Sequence, residues 1–285
     1  MRTFVGLHLR ELGGWIRVAA LLELLATAGI SNSSTRSAVS RLKGKGLLIP
    51  DKREVPGSDG SIAGYRLDPA AVTDLERGDR RIFSYRGHRA DEPWCLVSYS
   101  LPEVNRSKRV QLRRALTGLG FGAITDGLWI APGHLHAEVE DVLETLAVRS
   151  CATIFITQTP LTAGPFAQAA ATWWDLERLA ARHNEFLDRY EQHAPSEQFA
   201  PTTQNTQRSP QAASSLQSPA DPGEAFVLWL ACVDDWKAIP YADPGLPASA
   251  LPADWPGMRS VELFAELRAR FADPARAYVR EIAAV

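Results

Sequence analysis

The sequence predicts an α+β protein of three consecutive parts: a winged helix-turn-helix domain, a ferredoxin-like domain with the order β-α-β-β-α-β, and a helical C-terminal domain. Three observations lead to this prediction. Two helical patterns near the amino terminus precede a β-hairpin pattern, the middle of the chain alternates strand and helix patterns, and the last third carries helical periodicity. The predicted boundaries are 1–68 for the first domain, 69–91 for a helical connector, 92–165 for the second domain and 166–285 for the third.

The first element to justify is a helix that begins after Ser31, a residue suited to the N-cap. Its apolar and polar positions form two stripes, displaced by about 200° around the helix. The apolar stripe holds Thr35, Ala38, Val39 and Leu42, and the polar stripe holds Ser33, Arg36, Ser37 and Ser40. The apolar stripe is expected to pack, whereas the polar stripe, which has no carboxylate, suits the base edges of a DNA major groove.

A second amphipathic helix is predicted just before it, over residues 15–28, and Gly29 is suited to end that helix. Together the two helices form the helix-turn-helix pattern. Two short apolar runs then flank a polar tip over residues 50–60, which predicts a β-hairpin wing. Cations that follow the polar stripe or lie in the wing are expected to contact phosphates: Arg41, Lys43, Lys45, Lys52, Arg53 and Arg66.

The distribution of charge supports a nucleic-acid partner for this region. Residues 1–90 carry 15 Lys and Arg against 9 Asp and Glu, whereas residues 91–285 carry 16 against 24. The basic surplus coincides with the helix-turn-helix pattern, as electrostatic binding of phosphates requires. The alternative is an amphipathic helical hairpin packed inside an enzyme domain; the wing and the charge favour DNA.

The middle of the chain predicts two helices on one antiparallel sheet. A helical connector leads to a buried strand pattern over 94–101, and a hairpin signal stands at Thr125-Asp126-Gly127. In the last third, a helical stretch runs from residue 166 toward 190 and a final amphipathic helix covers 261–271. Between them, the Pro-, Gln-, Ser- and Thr-rich segment 193–223 predicts a flexible insert.

The composition excludes several classes of protein. Of the 285 residues, 45% are hydrophobic, which is enough for several cores, and three cysteines far apart predict neither disulfides nor a structural zinc. The chain shows neither an apolar run of membrane-span length nor a signal-peptide pattern, so we expect a cytoplasmic protein without a membrane partner. Nucleotide-binding and nucleophile-elbow motifs do not occur. We expect no cofactor, no metal and no enzymatic activity.

Short runs spread over almost the whole chain identify a family. They are Gly29-Ile30-Ser31 with Arg36, Ser40-Arg41-Leu42, Gly46-Leu47, residues 96–103, Leu119-Gly120-Phe121-Gly122, Gly127-Leu128-Trp129-Ile130, Trp174-Asp175-Leu176 and residues 251–257. On these runs the chain resembles the PaaX family of transcriptional repressors, which are regulators of aromatic-acid breakdown. The resemblance implies a homodimer that binds double-stranded operator DNA, represses a catabolic operon, and is released by an acyl-CoA effector similar to phenylacetyl-CoA. The effector-binding residues stay unassigned.

Two alternatives belong to other classes. The central domain resembles the small ferredoxin-like nucleases of CRISPR adaptation, whose first strand ends in a metal-binding aspartate. In this chain a serine takes the place of that aspartate, in Ser98-Tyr99-Ser100. Glu103 alone is weak support for a Mg²⁺ site, which needs carboxylate ligands. The other alternative is a protein-interaction module with a vestigial helix-turn-helix.

Overall fold

The computed structural model describes residues 1–54, 60–89, 91–158, 160–194 and 221–284, and its fold is α+β, as predicted. The strands are β1 (Trp15–Arg17), β2 (Leu48–Glu54), β3 (Ser61–Leu67), β4 (Trp94–Tyr99), β5 (Gly122–Thr125), β6 (Leu128–Pro132) and β7 (Ala152–Thr157). The helices are α1 (Arg2–Phe4, continued by a π-helical turn over Val5–Leu9), α2 (Val18–Thr27), α3 (Asn32–Gly44), α4 (Val72–Phe83), α5 (Arg106–Gly118), α6 (His136–Thr145), α7 (Phe166–Trp173), α8 (Leu176–Tyr190), α9 (Pro222–Trp236), α10 (Ala238–Ala242) and α11 (Gly257–Ala283).

The N-terminal sheet is a three-stranded antiparallel sheet in the order β1-β3-β2. The predicted helix over residues 15–28 is wrong at its start, because residues 15–17 form β1, in which Trp15 pairs with Arg66 of β3. The helical periodicity begins only at Val18, and aromatic and β-branched residues before it favour a strand once a partner is present. The backbone N–H of Leu67 donates to the carbonyl of Gly14 at 2.8 Å and closes this end of the sheet.

The central sheet has four antiparallel strands in the order β5-β6-β4-β7, and the chain passes through them as β-α-β-β-α-β. One face is packed by residues of α5 and α6, among them Leu112 and Leu143 against Val97. The other face is packed by Trp174 and by Leu246, against Trp94. Both faces of the sheet are therefore covered at β4 and β6, whereas β7 stays largely exposed.

The predicted helical stretch from residue 166 to 190 is interrupted at Trp174, where α7 ends and α8 has not yet begun. The indole N–H of Trp174 donates to the carbonyl of Gly120 at 2.8 Å inside the protein. A Cβ at Gly122 would lie 2.6 Å from this ring, so glycine is required where the indole crosses β5. The interruption lets Trp174 turn toward the sheet.

A buried polar network holds the segment that covers the second face of the central sheet. The Nε2 atom of His183 lies 2.9 Å from Oδ2 of Asp243, and its Nδ1 atom lies 2.6 Å from Oγ of Ser260. The hydroxyl of Ser260 donates to the carbonyl of Gly257, and Oδ1 of Asp243 accepts from the N–H of Gly245. All three side chains are buried, so the network is a structural element of α8, α11 and the loop after α10.

Contacts divide the chain into two compact units. One contains Met1–Arg77, Tyr190–Asp234 and Leu263–Val285, and the other contains Gly78–Arg189 and Asp235–Glu262. The units interleave along the chain, whereas the domains drawn from the sequence are consecutive. The final helix is longer than the predicted 261–271 and contains Pro274.

Two predicted features fall partly or wholly on residues outside the described ranges. These are the middle of the wing tip predicted over residues 50–60, at residues 55–59, and most of the flexible insert, at residues 195–220. The first residues of that predicted tip, 50–54, are instead part of β2, so the strand is longer than predicted. Within the described ranges, each helix is too short or too polar to cross a membrane.

Candidate nucleic-acid interface

Helix α3 begins after the N-cap that the sequence predicts, and the turn before it ends α2 at the predicted glycine. The hydroxyl of Ser31 accepts a hydrogen bond from the backbone N–H of Ser34 at 3.2 Å, which confirms the predicted N-cap. Gly29 has φ +74° and ends α2, and the N–H of Ile30 donates to the carbonyl of Leu25 as in a Schellman motif. A side chain at residue 29 would strain this turn, so the glycine sets the angle between α2 and α3.

The two stripes of α3 lie in the environments predicted for them. Thr35, Val39 and Leu42 are between 1% and 7% exposed, and Ala38 is half-buried. Every member of the polar stripe is exposed: Ser33, Arg36, Ser37 and Ser40. Since contacts with α2 and β2 account for the buried stripe, the polar stripe is left as an outward-facing surface of small hydroxyls around one guanidinium.

The charge around this stripe is positive. Arg41, Lys43 and Lys45 are all exposed, and the nearest carboxylates along the chain are Glu23 and Asp51. A surface of this kind can donate hydrogen bonds to base edges through Arg36 and attract phosphates through its flanking cations. We call Ser33, Arg36, Ser37 and Ser40 with these three cations the α3 surface.

The wing does not bring all its predicted cations to one surface. Lys52 pairs with Ala63 and the adjacent Arg53 pairs with Ile62, so their side chains point to opposite faces of the sheet. The guanidinium of Arg53 lies 4.5 Å from the ring centroid of Trp15. Arg66 is half-buried and, through its pairing with Trp15, shares the face of Arg53.

The face of Arg53 belongs to a cleft of about 360 Å³ that it shares with the end of the last helix. Arg280 and Ala283 line this cleft together with Trp15 and Arg53. Lys52 and Arg53 are both exposed, but Lys52 lies on the face that carries Leu48, away from Trp15 and the cleft. Of these two exposed wing cations, Lys52 is therefore the one that does not stack on Trp15.

The last helix also contacts the first part of the chain at two points that sequence reasoning missed. The guanidinium of Arg17 donates to the carbonyl of Ile282 at 2.8 Å, and the hydroxyls of Thr27 and Tyr278 lie 3.1 Å apart. The partners are more than 250 residues apart, so periodicity and spacing carry no signal of them. These bonds hold α11 against β1 and the end of α2, beside the turn that positions α3.

The structure also bears on catalytic alternatives. Within the described ranges, His, Cys, Asp and Glu do not cluster in threes that could hold a metal. Glu103, the carboxylate weighed for a nuclease, lies 3.2 Å from the guanidinium of Arg109. Ser260, His183 and Asp243 stand in the order of a hydrolase triad, but Ser260 and His183 are fully buried, so a substrate cannot reach them.

Three family models match separate stretches of the chain. They are described as a PaaX-like protein over residues 2–67, the PaaX protein central Cas2-like domain over residues 87–171, and the PaaX-like protein C-terminal domain over residues 174–281. Together these matches cover most of the chain in consecutive order.

Two similar proteins were also found. The transcriptional repressor PaaX of Escherichia coli (strain K12) is 26% identical over 285 residues, a match that covers 98% of this chain and 81% of that protein. A solved structure, the uncharacterized protein Rv0674 from Mycobacterium tuberculosis, aligns with a TM-score of 0.56 at 20% identity over 98% of this chain and 97% of that one. This second likeness concerns the fold alone.

Proposed function

The chain belongs to the PaaX family of transcriptional regulators, and from this we propose that it is a DNA-binding repressor whose operator contacts are made by the α3 surface. The observation that carries the proposal is the exposure of Ser33, Arg36, Ser37 and Ser40 on a helix whose opposite stripe is buried. A polar stripe that served only solubility would be expected to include Asp or Glu, but this stripe contains neither. The N-terminal sheet and its two helices then act as a winged helix-turn-helix.

In this proposal the residues have two kinds of role. The polar stripe of α3 reads base edges in the major groove, with Arg36 as the long donor and the serine hydroxyls as short ones. Arg41, Lys43, Lys45 and Lys52 hold phosphates and fix the register without reading sequence. Arg53 and Arg66 support the wing from its other face, where Arg53 stacks on Trp15.

We further propose that the protein is a homodimer that binds a near-palindromic operator, with half-sites separated by a whole number of helical turns. The ferredoxin-like central domain supplies a surface for dimerisation at β7, which stands at one end of the strand order. Phe155 and Ile156 of β7 are 51% and 54% exposed. An open strand edge that carries large apolar side chains is a surface that a second copy would cover.

The remaining expectations follow from the repressor role. The regulated genes form a catabolic operon, and an acyl-CoA ester releases the protein from its operator. A repressor works where the DNA is, which places it in the cytoplasm. The consecutive domains 1–68, 92–165 and 166–285, joined by the connector 69–91, are retained as functional divisions. We propose no enzymatic activity, since repression needs none.

The test is footprinting of the purified protein on the promoter region of its own gene. We expect protection of a two-fold symmetric site, and a mobility shift in which the DNA stays intact when Mg²⁺ or Mn²⁺ is added. Cleavage of the duplex would support the nuclease, which the comparisons do not favour. Protein that is folded but binds neither its promoter nor random duplex would support the interaction module with a vestigial helix-turn-helix.

A further inference from the structure

The compact unit that contains the central sheet has a cavity of about 520 Å³, within the size range of small-molecule sites. It lies beside β5, at one edge of the central sheet, and five aromatic side chains form much of its wall: Phe121, Trp129, Trp173, Trp174 and Tyr241. Such a wall suits a flat apolar group, because offset and edge-on contacts with rings add to the gain from burying apolar area.

The cavity also has a cationic rim. Arg178 and Arg182 line it from α8, and because they are four residues apart they lie on one side of that helix. Arg178 is exposed, and Arg182 donates one hydrogen bond to the carbonyl of Ala238 at 3.2 Å. Asp175 is the one carboxylate among the lining residues, so the lining carries a net positive charge.

The rim continues along α5. Thr117 and Gly118, in its last turn, line the cavity, and Arg113 and Arg114 lie one turn earlier on the same side of the helix. Both arginines are exposed. The salt bridge between Arg113 and Asp126 is solvated and contributes little, so it would yield to a more highly charged anion.

We propose that this cavity binds a planar aromatic group whose carboxylate, or thioester carbonyl, accepts hydrogen bonds from Arg178 and Arg182. The ligand is an aromatic carboxylic acid or its CoA thioester. In the thioester the aromatic acyl group fills the cavity, and the phosphates lie outside it along Arg113 and Arg114. This inference rests on the proposed function in one respect, since it assigns to the repressor the place where its effector binds.

The first experiment measures binding without DNA, by calorimetry and by quenching of tryptophan fluorescence. The probes are phenylacetyl-CoA, phenylacetate, and CoA alone. The proposal expects saturable binding of at least one aromatic probe, with CoA alone at least tenfold weaker than the best of them. Tighter binding of the thioester or of the free acid identifies the form of the ligand. Equal binding of CoA alone, or no binding of either aromatic probe, overturns the proposal.

Variants locate the site. Arg178→Ala and Arg182→Ala each remove a charged donor from the rim and should weaken the best aromatic probe by about tenfold or more. Thr117→Trp, at an exposed position, should obstruct the mouth and abolish binding while leaving the fold intact. The matched control is Arg106→Ala, which removes an exposed arginine three turns before Thr117 on the same helix. Equal affinity in Thr117→Trp and the unmodified protein would place the ligand elsewhere and overturn the assignment.

The failure of this inference can be told from the failure of the proposed function. Protection of the promoter together with no aromatic binding refutes the cavity assignment and leaves the repressor. Aromatic binding that Thr117→Trp abolishes, in a protein that does not bind its promoter, supports the cavity and refutes the repressor.

Discussion

The two sheets of this protein differ in how much of the surface around them is covered by other parts of the chain. In the N-terminal sheet, α3 packs through Thr35, Val39 and Leu42 and leaves its polar stripe exposed. In the central sheet both faces of β4 and β6 are covered, one by α5 and α6 and the other by a layer that includes Trp174 and Leu246. The difference teaches that the uncovered helix is available to a large partner, whereas the covered sheet offers an open cavity at its edge to a small one.

The largest effect should come from breaking the buried network that completes the covered side of the central sheet. Asp243→Ala removes the acceptor for His183 and for the N–H of Gly245, and leaves both buried without that partner. We expect it to lower the free energy of unfolding by about 3–5 kcal/mol, seen as an earlier urea transition by circular dichroism.

Ser260→Ala is the milder control for that change. It removes one hydroxyl from the same network and should cost about 1–3 kcal/mol. If Asp243→Ala proves no more destabilising than Ser260→Ala, the network is not what holds the second layer on the sheet, and the contrast between the two sheets loses its basis.

The pH dependence of stability tests how well the part of the chain around the N-terminal sheet is buried. His8 is buried between the rings of Phe4 and Phe226, and burial, with a smaller contribution from Arg276, lowers its pKa to about 4. Between pH 6.5 and about 4 the unfolded chain binds a proton there that the folded chain does not, so the stability due to neutral His8 is lost as pH falls through this window.

The expected loss is about 3 kcal/mol at pH 4 relative to pH 7. The measurement is the urea midpoint of unfolding as a function of pH, in the unmodified chain and in His8→Phe. The two curves should diverge below pH 6.5 and run parallel above it. Parallel curves throughout would mean that His8 is solvated in the folded protein.

The cations beside the polar stripe should change DNA binding without changing stability. Lys43→Ala and Lys45→Ala are each expected to weaken operator and random DNA alike, and to reduce the slope of log affinity against log salt by roughly one. Titrations at several salt concentrations measure this slope. A slope that does not change would remove that lysine from the interface.

The smallest effects separate the two faces of the wing. Arg53→Ala should cost about 0.5–1 kcal/mol of stability, because it removes the guanidinium from the ring of Trp15. Lys52→Ala should leave stability unchanged and reduce the salt slope of DNA binding by roughly one. If Arg53→Ala reduces the salt slope and Lys52→Ala lowers stability instead, the wing presents its other face to DNA.

Local signals made much of this fold predictable. The cap at Ser31, the turn at Gly29 and the two stripes of α3 follow from short-range chemistry, and the nearly continuous apolar run of β4 follows from burial on both faces. The prediction that the helix starts at residue 15 is wrong because β1 exists only by pairing with β3, about fifty residues later. That Lys52 and Arg53 lie on opposite faces could have been predicted from the period of a strand.

The buried network and the cavity could not have been predicted in this way. His183, Asp243 and Ser260 come from separate elements, and the cavity combines the end of α5 with β5, α8 and α10. In the sequence, Trp129, Trp173 and Trp174 taken singly are each best explained as core residues. Only the fold shows that they share one cavity with Arg178 and Arg182.

The measurement that tests the central claim most directly is the affinity of Arg36→Ala for the footprinted operator and for random duplex DNA, at one salt concentration, with Lys43→Ala as the phosphate-contact control. If α3 reads base edges, Arg36→Ala should lose about 1–3 kcal/mol on the operator and little on random DNA, whereas Lys43→Ala should lose equally on both. Equal losses of Arg36→Ala on the two DNAs, or no loss on either, would contradict the account.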